Sequence, residues 1–270
     1  MGSLLDRYGP CALVTGASSG IGEAFARELA KEGFDLVLVA RRKERLEALA
    51  AELRASRSAC ENVEVLALDL TRPDFIDAIV SACEKRDIGL LVSNAGAGAK
   101  GAFDETPLDK KHALLELNCR APMILADQFI PRFKKRGCGG LIITSSIESV
   151  VGFPYSATYA ATKAFATALG EGLWGELDGS GVDILVLEPG STDTETLALQ
   201  GMNAKDMIGL MQPASVARTA LDRLGRGPVV IAGRMNRLLV GLLSLLPRRI
   251  AIRAAGKGMR DAIAKGRAQP

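Results

Sequence analysis

The sequence predicts an α/β protein built on one doubly wound parallel sheet of about seven strands, with helices on both faces. Three observations lead there. Short, nearly continuous apolar runs alternate with longer amphipathic ones, as parallel strands covered on both faces require. A glycine-rich turn, Gly16-Ala-Ser-Ser-Gly-Ile-Gly22, joins the first apolar run to the first amphipathic one. No Pro/Gly/Ser-rich linker, internal repeat or low-complexity segment divides the chain, so residues 1–233 read as a single domain.

Taken in order, strands are predicted over Ala12–Thr15, Leu36–Ala40, Val63–Leu68, Leu90–Ser93, Leu141–Thr144, Ile184–Leu187 and Val229–Ala232, all rich in β-branched and aliphatic residues. The period changes between them, predicting helices over Glu23–Glu32, Lys43–Ser56, Asp74–Arg86, Asp109–Arg136, Ser156–Leu177 and Ala214–Leu224. Right-handed crossovers then place the first six strands in the order 3-2-1-4-5-6, the arrangement of a Rossmann fold. The segment Ser191–Gln212, with Leu197, Leu199, Met202, Met207, Ile208, Leu210 and Met211, is predicted to cover the site as a lid. Residues 234–270 are predicted to form a helical, amphipathic, basic extension.

Composition narrows the function classes. Hydrophobic residues make up 48% and charged residues 24%, an ordinary balance for a protein with a large core. Five cysteines, with no C-x-x-C pair, point to reduced thiols in a cytoplasm rather than to disulfides or a metal site. No apolar leader follows a basic start, so no signal peptide is expected. The net charge of +3 is unevenly placed: nine Lys/Arg face one acid, Asp261, beyond Gly233, which leaves the body with 25 bases against 30 acids. The basic extension lacks aromatic residues on which bases could stack, which argues against nucleic acid.

Gly16-Ala-Ser-Ser-Gly20 also fits the elbow that presents a nucleophilic serine in hydrolases. That reading needs a histidine base late in the chain, and the single histidine, His112, lies in a helical run near the middle. The alternative is a dinucleotide turn, in which Gly16 bends the chain out of its strand and Gly20 and Gly22 let the backbone approach a pyrophosphate. Ser18, Ser19 and Ile21 complete the turn, and the phosphates would face the positive end of the following helix.

Further features accompany the turn. Tyr159-Ala-Ala-Thr-Lys163 puts a phenol and an ammonium on one helix face at i, i+4. Ser146 ends a strand thirteen residues before Tyr159, with Ser145 as its competitor. Asn94-Ala95-Gly96 ends the fourth strand, and Asn118 lies within the long helix. Together these motifs resemble the short-chain dehydrogenase/reductase family over Cys11 to Gly233. One departure is Ser93, where the family usually has asparagine.

The resemblance implies a catalytic tetrad of Asn118, Ser146, Tyr159 and Lys163. In it Tyr159 exchanges the proton, Ser146 holds the substrate oxygen, Lys163 holds the nicotinamide ribose and Asn118 anchors a water relay. It further implies cofactor contacts from Asp69 and Leu70 to adenine and from Pro189, Gly190, Thr192 and Thr194 around the nicotinamide amide. It also implies a homodimer or homotetramer, which Ala160, Ala161, Ala164 and Ala168 would allow by close helix approach.

The second strand ends Val39-Ala40-Arg41-Arg42, with no acid to bind a ribose 2′-hydroxyl, so NADP(H) is expected over NAD(H). Arg41 and Arg42 are both candidates for the cofactor, Arg41 being the better one for the 2′-phosphate and solvation being the alternative for Arg42. A lipophilic carbonyl or alcohol is the expected substrate, with Phe153, Tyr155, Met202 and Met207 in the pocket wall. The runner-up reading is an NADP(H)-binding sensor or scaffold with little chemistry. The extension has two readings: packing against the domain or a subunit, which is preferred, and peripheral contact with an anionic membrane.

Overall fold

The computed structural model describes residues 2–56, 60, 62–199, 202, 204 and 207–267. Its seven strands are β1 (Cys11–Thr15), β2 (Asp35–Ala40), β3 (Val63–Ala67), β4 (Ile88–Ser93), β5 (Gly139–Thr144), β6 (Val182–Glu188) and β7 (Val229–Ile231). They form one sheet in the order β3-β2-β1-β4-β5-β6-β7, and every pairing is parallel. The predicted order is therefore found, with β7 extending one edge. Strand order reverses between β1 and β4, and a crevice for ligands opens beyond the carboxyl ends of strands at such a switch point.

The helices are α1 (Leu4–Tyr8), α2 (Gly20–Lys31), α3 (Lys43–Ala55), α4 (Phe75–Cys83), α5 (Leu108–Leu115), α6 (Ala121–Arg136), α7 (Ala157–Glu176), α8 (Glu195–Leu199), α9 (Pro213–Arg223), α10 (Arg234–Leu245) and α11 (Arg248–Arg267). One apolar layer packs Phe25, Leu29, Leu46 and Val216 from helices onto Leu36 and Leu38 of β2. The opposite layer packs Phe75, Ile79, Phe129 and Phe133 onto Leu13 and Leu141. Each such side chain contributes about 1.5–3 kcal/mol on full burial, so the sheet is clamped from both faces.

One predicted helix is interrupted. The run expected over Asp109–Arg136 is α5 and α6 joined by a π-helical turn over Glu116–Arg120. Pro122 has no N–H, so the Asn118 carbonyl loses its α-helical donor and the chain re-registers around it. The irregular turn falls on a residue singled out for chemistry.

The lid begins with an isolated bridge, Thr192 to Met211, followed by α8. Residues 200, 201, 203, 205 and 206 of the expected lid, and 268–270 of the extension, lie outside the described residues. Leu197 is buried, whereas Leu199 and Ile208 face outward, so the lid's apolar residues do not all serve one pocket. The extension is helical as expected. Its α11 leans on the loop before α7: a Cβ at Gly256 would meet Pro154 Cγ at 2.8 Å, and the Arg260 guanidinium stacks 5.5 Å from the Tyr155 ring centroid. Asn236 of α10, buried, donates to the Gly209 and Ala232 carbonyls and so ties the extension to the lid.

Candidate active site

The glycine-rich turn sits where β1 meets α2. Gly16 takes φ +70° and Gly20 takes φ +59°, both in the left-handed region that favours glycine. A Cβ at Gly22 would lie 2.2 Å from the Gly16 carbonyl oxygen, so nothing larger fits under the turn. Ser19 caps α2 without a side-chain hydrogen bond to it, which leaves the helix's first N–H groups facing the crevice. Ile21 packs on the core behind the turn. Such an uncapped positive helix end with a Cβ-free approach fits a pyrophosphate.

Arg42, rather than Arg41, reaches this turn. Its guanidinium donates to Ser18 Oγ at 3.0 and 3.1 Å and to Ser19 Oγ at 2.5 Å. Of the two candidate arginines, Arg42 is half-buried against the turn and Arg41 is exposed. Arg42 and Arg45 also share one carboxylate, Glu195 of α8, at 2.8 and 2.6 Å. Both guanidiniums are thus already paired, and a phosphate bound at this corner would have to displace the Glu195 carboxylate. Ser18 is bonded to arginine and His112 is exposed on α5, so the hydrolase reading is left without a base.

At the end of β4, Thr15 Oγ1 accepts the N–H groups of Asn94 and Ala95, each at 3.0 Å, and Asn94 Nδ2 donates to the Thr15 carbonyl. Thr144 Oγ1 donates to Asn94 Oδ1 at 3.2 Å, so three strand ends are laced together. Asn118 clamps the next residues: its amide donates to the Ala97 carbonyl and its oxygen accepts the Ala97 N–H, at 2.9 and 3.0 Å. Gly96 lies beside both Asn118 and Lys163, since a Cβ there would sit 3.2 Å from Lys163 Nζ. Thr15 went unnoticed as a site residue because a lone strand-end threonine carries no local signal.

The two serines separate cleanly. Ser145 Oγ turns to α7, donating to the Lys163 carbonyl at 2.8 Å and pairing with Thr167 Oγ1. Ser146 Oγ accepts the Glu148 N–H at 3.2 Å and borders the Tyr159 phenol. Lys163 is buried, with Nζ donating to the Thr144 carbonyl at 2.8 Å and lying 5.8 Å from the Tyr159 ring centroid. Burial, reinforced by the Glu148 carboxylate, pushes the phenol above its ordinary value, while the Ser146 hydroxyl pulls it back. Burial lowers Lys163 to about 8, so its ammonium still predominates at neutral pH.

The remaining expected residues are placed around this centre. Asp69 accepts the Thr71 N–H and hydroxyl, and Leu70 is buried against the sheet. The Pro189 carbonyl accepts the Ile147 N–H, and Gly190 abuts the Asn236 carboxamide. Thr192 Oγ1 donates to the Gly190 carbonyl, and Thr194 approaches Gly20 across the turn. Phe153 and Tyr155 are half-buried in the loop before α7, and Met202 and Met207 are half-buried in the lid. Lys100, Glu148, Ser156 and Asn236 join the neighbourhood although the sequence did not mark them, because each acts through a distant partner. Among the described residues no cluster of His, Cys, Asp and Glu could hold a metal, and all five cysteines are free.

Comparison with known proteins bears on the fold and the family. The family model described as short chain dehydrogenase matches residues 10–204. A 7β-hydroxysteroid dehydrogenase of Clostridium sardiniense is 33% identical over 233 residues, spanning 86% of this chain and 88% of that one. A solved 7β-hydroxysteroid dehydrogenase structure superposes with a TM-score of 0.87 at 27% identity, covering 94% of this chain and 99% of the other. A short-chain dehydrogenase from Sphingobium yanoikuyae, in complex with NADPH, superposes with a TM-score of 0.77 at 36% identity, over 88% and 96% of the two chains.

Proposed function

The chain belongs to the short-chain dehydrogenase family, an oxidoreductase family of the CH–OH/C=O couple, and from that premise we propose that it is a cytoplasmic NADP(H)-dependent reductase of lipophilic ketones, aldehydes or ketoacyl groups, working reversibly. One observation carries this reading: the Ser146 hydroxyl borders the Tyr159 phenol while the buried Lys163 amine lies 5.8 Å from the centre of the same ring. The names of the steroid-acting relatives support a bulky apolar substrate.

When bound, NADPH supplies the hydride. The turn from Gly16 to Gly22 and the end of α2 would hold its pyrophosphate, and Arg42 with Arg45 would hold its 2′-phosphate. Ser146 and Tyr159 donate hydrogen bonds to the substrate carbonyl oxygen. As negative charge grows on that oxygen, Tyr159 gives up its proton, and the Lys163 ammonium stabilises the phenolate left behind. Alcohol oxidation runs the same path backwards. Asn118 fixes the loop from Asn94 to Ala97 through its paired hydrogen bonds to Ala97.

The test is NADPH oxidation by the full-length protein against a panel of bulky ketones and small polar sugars. Turnover of the bulky ketones is expected, at least about tenfold better with NADPH than NADH. Arg42→Ala should weaken NADPH binding by about 10- to 100-fold and NADH binding little, the loss of one or two charge-assisted hydrogen bonds. Turnover confined to sugars, or equal use of NADH, contradicts the reading. Tight NADPH binding with no turnover would favour the sensor.

Two assembly features follow the same reading. Phe165 on α7 remains partly exposed on the same helix face as Ala161 and Ala168, which supports a homodimer or homotetramer through that helix. On α10, Met235, Leu238, Leu242 and Leu245 form an exposed apolar stripe, Leu245 being 82% exposed, among Arg234, Arg237, Arg248 and Arg249. Pairing this face with its own copy would oppose like charges, so an anionic bilayer surface is the better partner. No helix among the described residues is long and apolar enough to cross a membrane. Full-length protein should float with anionic phospholipid vesicles and not with neutral ones, and Leu242→Glu/Leu245→Glu should stay in the pellet fraction. Unchanged flotation of that variant, or its conversion from dimer to monomer, contradicts the membrane contact.

A further inference from the structure

Beside the phenol lies a buried ion pair that the reaction as described does not use. Lys100, in the loop after β4, keeps 3% of its side chain exposed, and Glu148, in the short turn after Ser146, keeps 16%. Lys100 Nζ donates to both Glu148 carboxylate oxygens, at 2.5 and 2.7 Å, and to Ser156 Oγ at 2.8 Å. Ser156 Oγ in turn donates to Glu148 Oε2 at 2.6 Å. The Lys100 ammonium lies 4.8 Å from the Tyr159 ring centroid, nearer than Lys163 at 5.8 Å. Glu148 holds Ser146 Oγ through its backbone N–H at 3.2 Å.

Stability alone gives little reason for such a pair, since apolar residues of similar volume usually serve a core as well or better. Its position gives a reason. In a site shielded from water, one unpaired charge about 5 Å from a phenol changes the phenol's proton affinity strongly, and two opposite charges nearly cancel. We propose that Lys100 and Glu148 are positioning residues that act through Tyr159: the carboxylate opposes the phenolate, the ammonium over the ring favours it, and their balance sets the pH window of each direction of the reaction. This deepens the reading above and rests on Tyr159 carrying the proton.

Of the other charged or titratable groups nearby, Lys163 on α7 lies over the same ring, and Cys119 on the π-helical turn acts on Lys163. Glu188 at the end of β6 accepts from Thr167 and Ser149, and Arg260 of α11 stacks over Tyr155. Burial raises the Cys119 thiol and the Glu188 carboxyl, and burial lowers Lys100 despite its partner. None of these groups is altered by the variants below except Lys100 itself.

The test is phenolate absorbance of the full-length protein without cofactor as pH rises, with Tyr159 isolated by subtracting the same protein carrying Tyr159→Phe. Glu148→Gln should lower the Tyr159 midpoint by about one pH unit, and the pH at which alcohol oxidation rises should fall with it. Lys100→Met should shift the pH dependence of alcohol oxidation the opposite way. The lowered Lys100 amine carries its charge near neutral pH and loses it before the raised phenol ionises at equilibrium. A purely structural role would weaken both single variants without opposed shifts. Glu148→Gln keeps the shape and hydrogen-bonding reach of the carboxylate, so it decides the matter alone if Lys100→Met does not fold. Shifts of like sign, or a Glu148→Gln midpoint at the wild-type value, overturn the proposal. A lowered Glu148→Gln midpoint in a protein that turns over no carbonyl would keep the tuning and overturn the reductase instead.

Discussion

Tyr159→Phe is expected to lower turnover by roughly 10²- to 10⁴-fold, the usual worth of a positioned proton donor, while leaving the NADPH Kd within about a factor of two. The substitution removes one oxygen and keeps the ring, so the Lys100 ammonium retains the aromatic face it packs on. Lys163 keeps its hydrogen bond to the Thr144 carbonyl, and the glycine-rich turn is untouched. Loss should therefore fall on kcat and not on cofactor affinity. Single-turnover NADPH oxidation with a bulky ketone, beside a fluorescence titration of NADPH, separates the two. Turnover within a few-fold of wild type would remove Tyr159 from the proton path.

Gly22→Ala carries the second large effect. The added methyl would sit 2.2 Å from the Gly16 carbonyl oxygen and 2.6 Å from Asn94 Nδ2. One of these atoms is backbone and the other bonds the Thr15 carbonyl, so neither gives way without moving the turn. A destabilisation of about 1–3 kcal/mol is expected, with NADPH affinity falling at least about tenfold as the turn shifts. Gly258→Ala is the control. It lies exposed within α11 with nothing in the way of its Cβ, and should be stabilising by about 0.5–1 kcal/mol. Urea unfolding of the two variants, with NADPH titration, checks the contrast. Equal behaviour would mean that the turn is not packed as described.

The parts legible in the sequence are those written in local patterns. Continuous apolar runs such as Leu36–Ala40 announced two-sided burial, and the alternation of runs announced the sheet order. Tyr159 and Lys163 could be placed on one helix face from their spacing alone, and both lie on α7. What the sequence left unread has a different cause. The helix break at Asn118 depends on one missing N–H, at Pro122, inside an otherwise helical pattern. Whether Arg41 or Arg42 reaches Ser18 depends on the backbone path after β2, which adjacent arginines do not reveal. Lys100 and Glu148 are 48 residues apart and meet only because β4 and β5 are neighbours. Asn236 likewise gains meaning only when the extension folds back on Gly190 and Gly209.

The account stands on Tyr159 as the proton donor at the hydride-accepting carbon, and a crystal structure with NADP⁺ bound tests that most directly. The Tyr159 and Ser146 hydroxyls should open onto the same side of the nicotinamide ring. They should be close enough that one carbonyl group, within about 3–3.5 Å of the ring's reactive carbon, touches both hydroxyls. A phenol turned away from that carbon, with protein between them and no loop able to close the gap, would contradict the account.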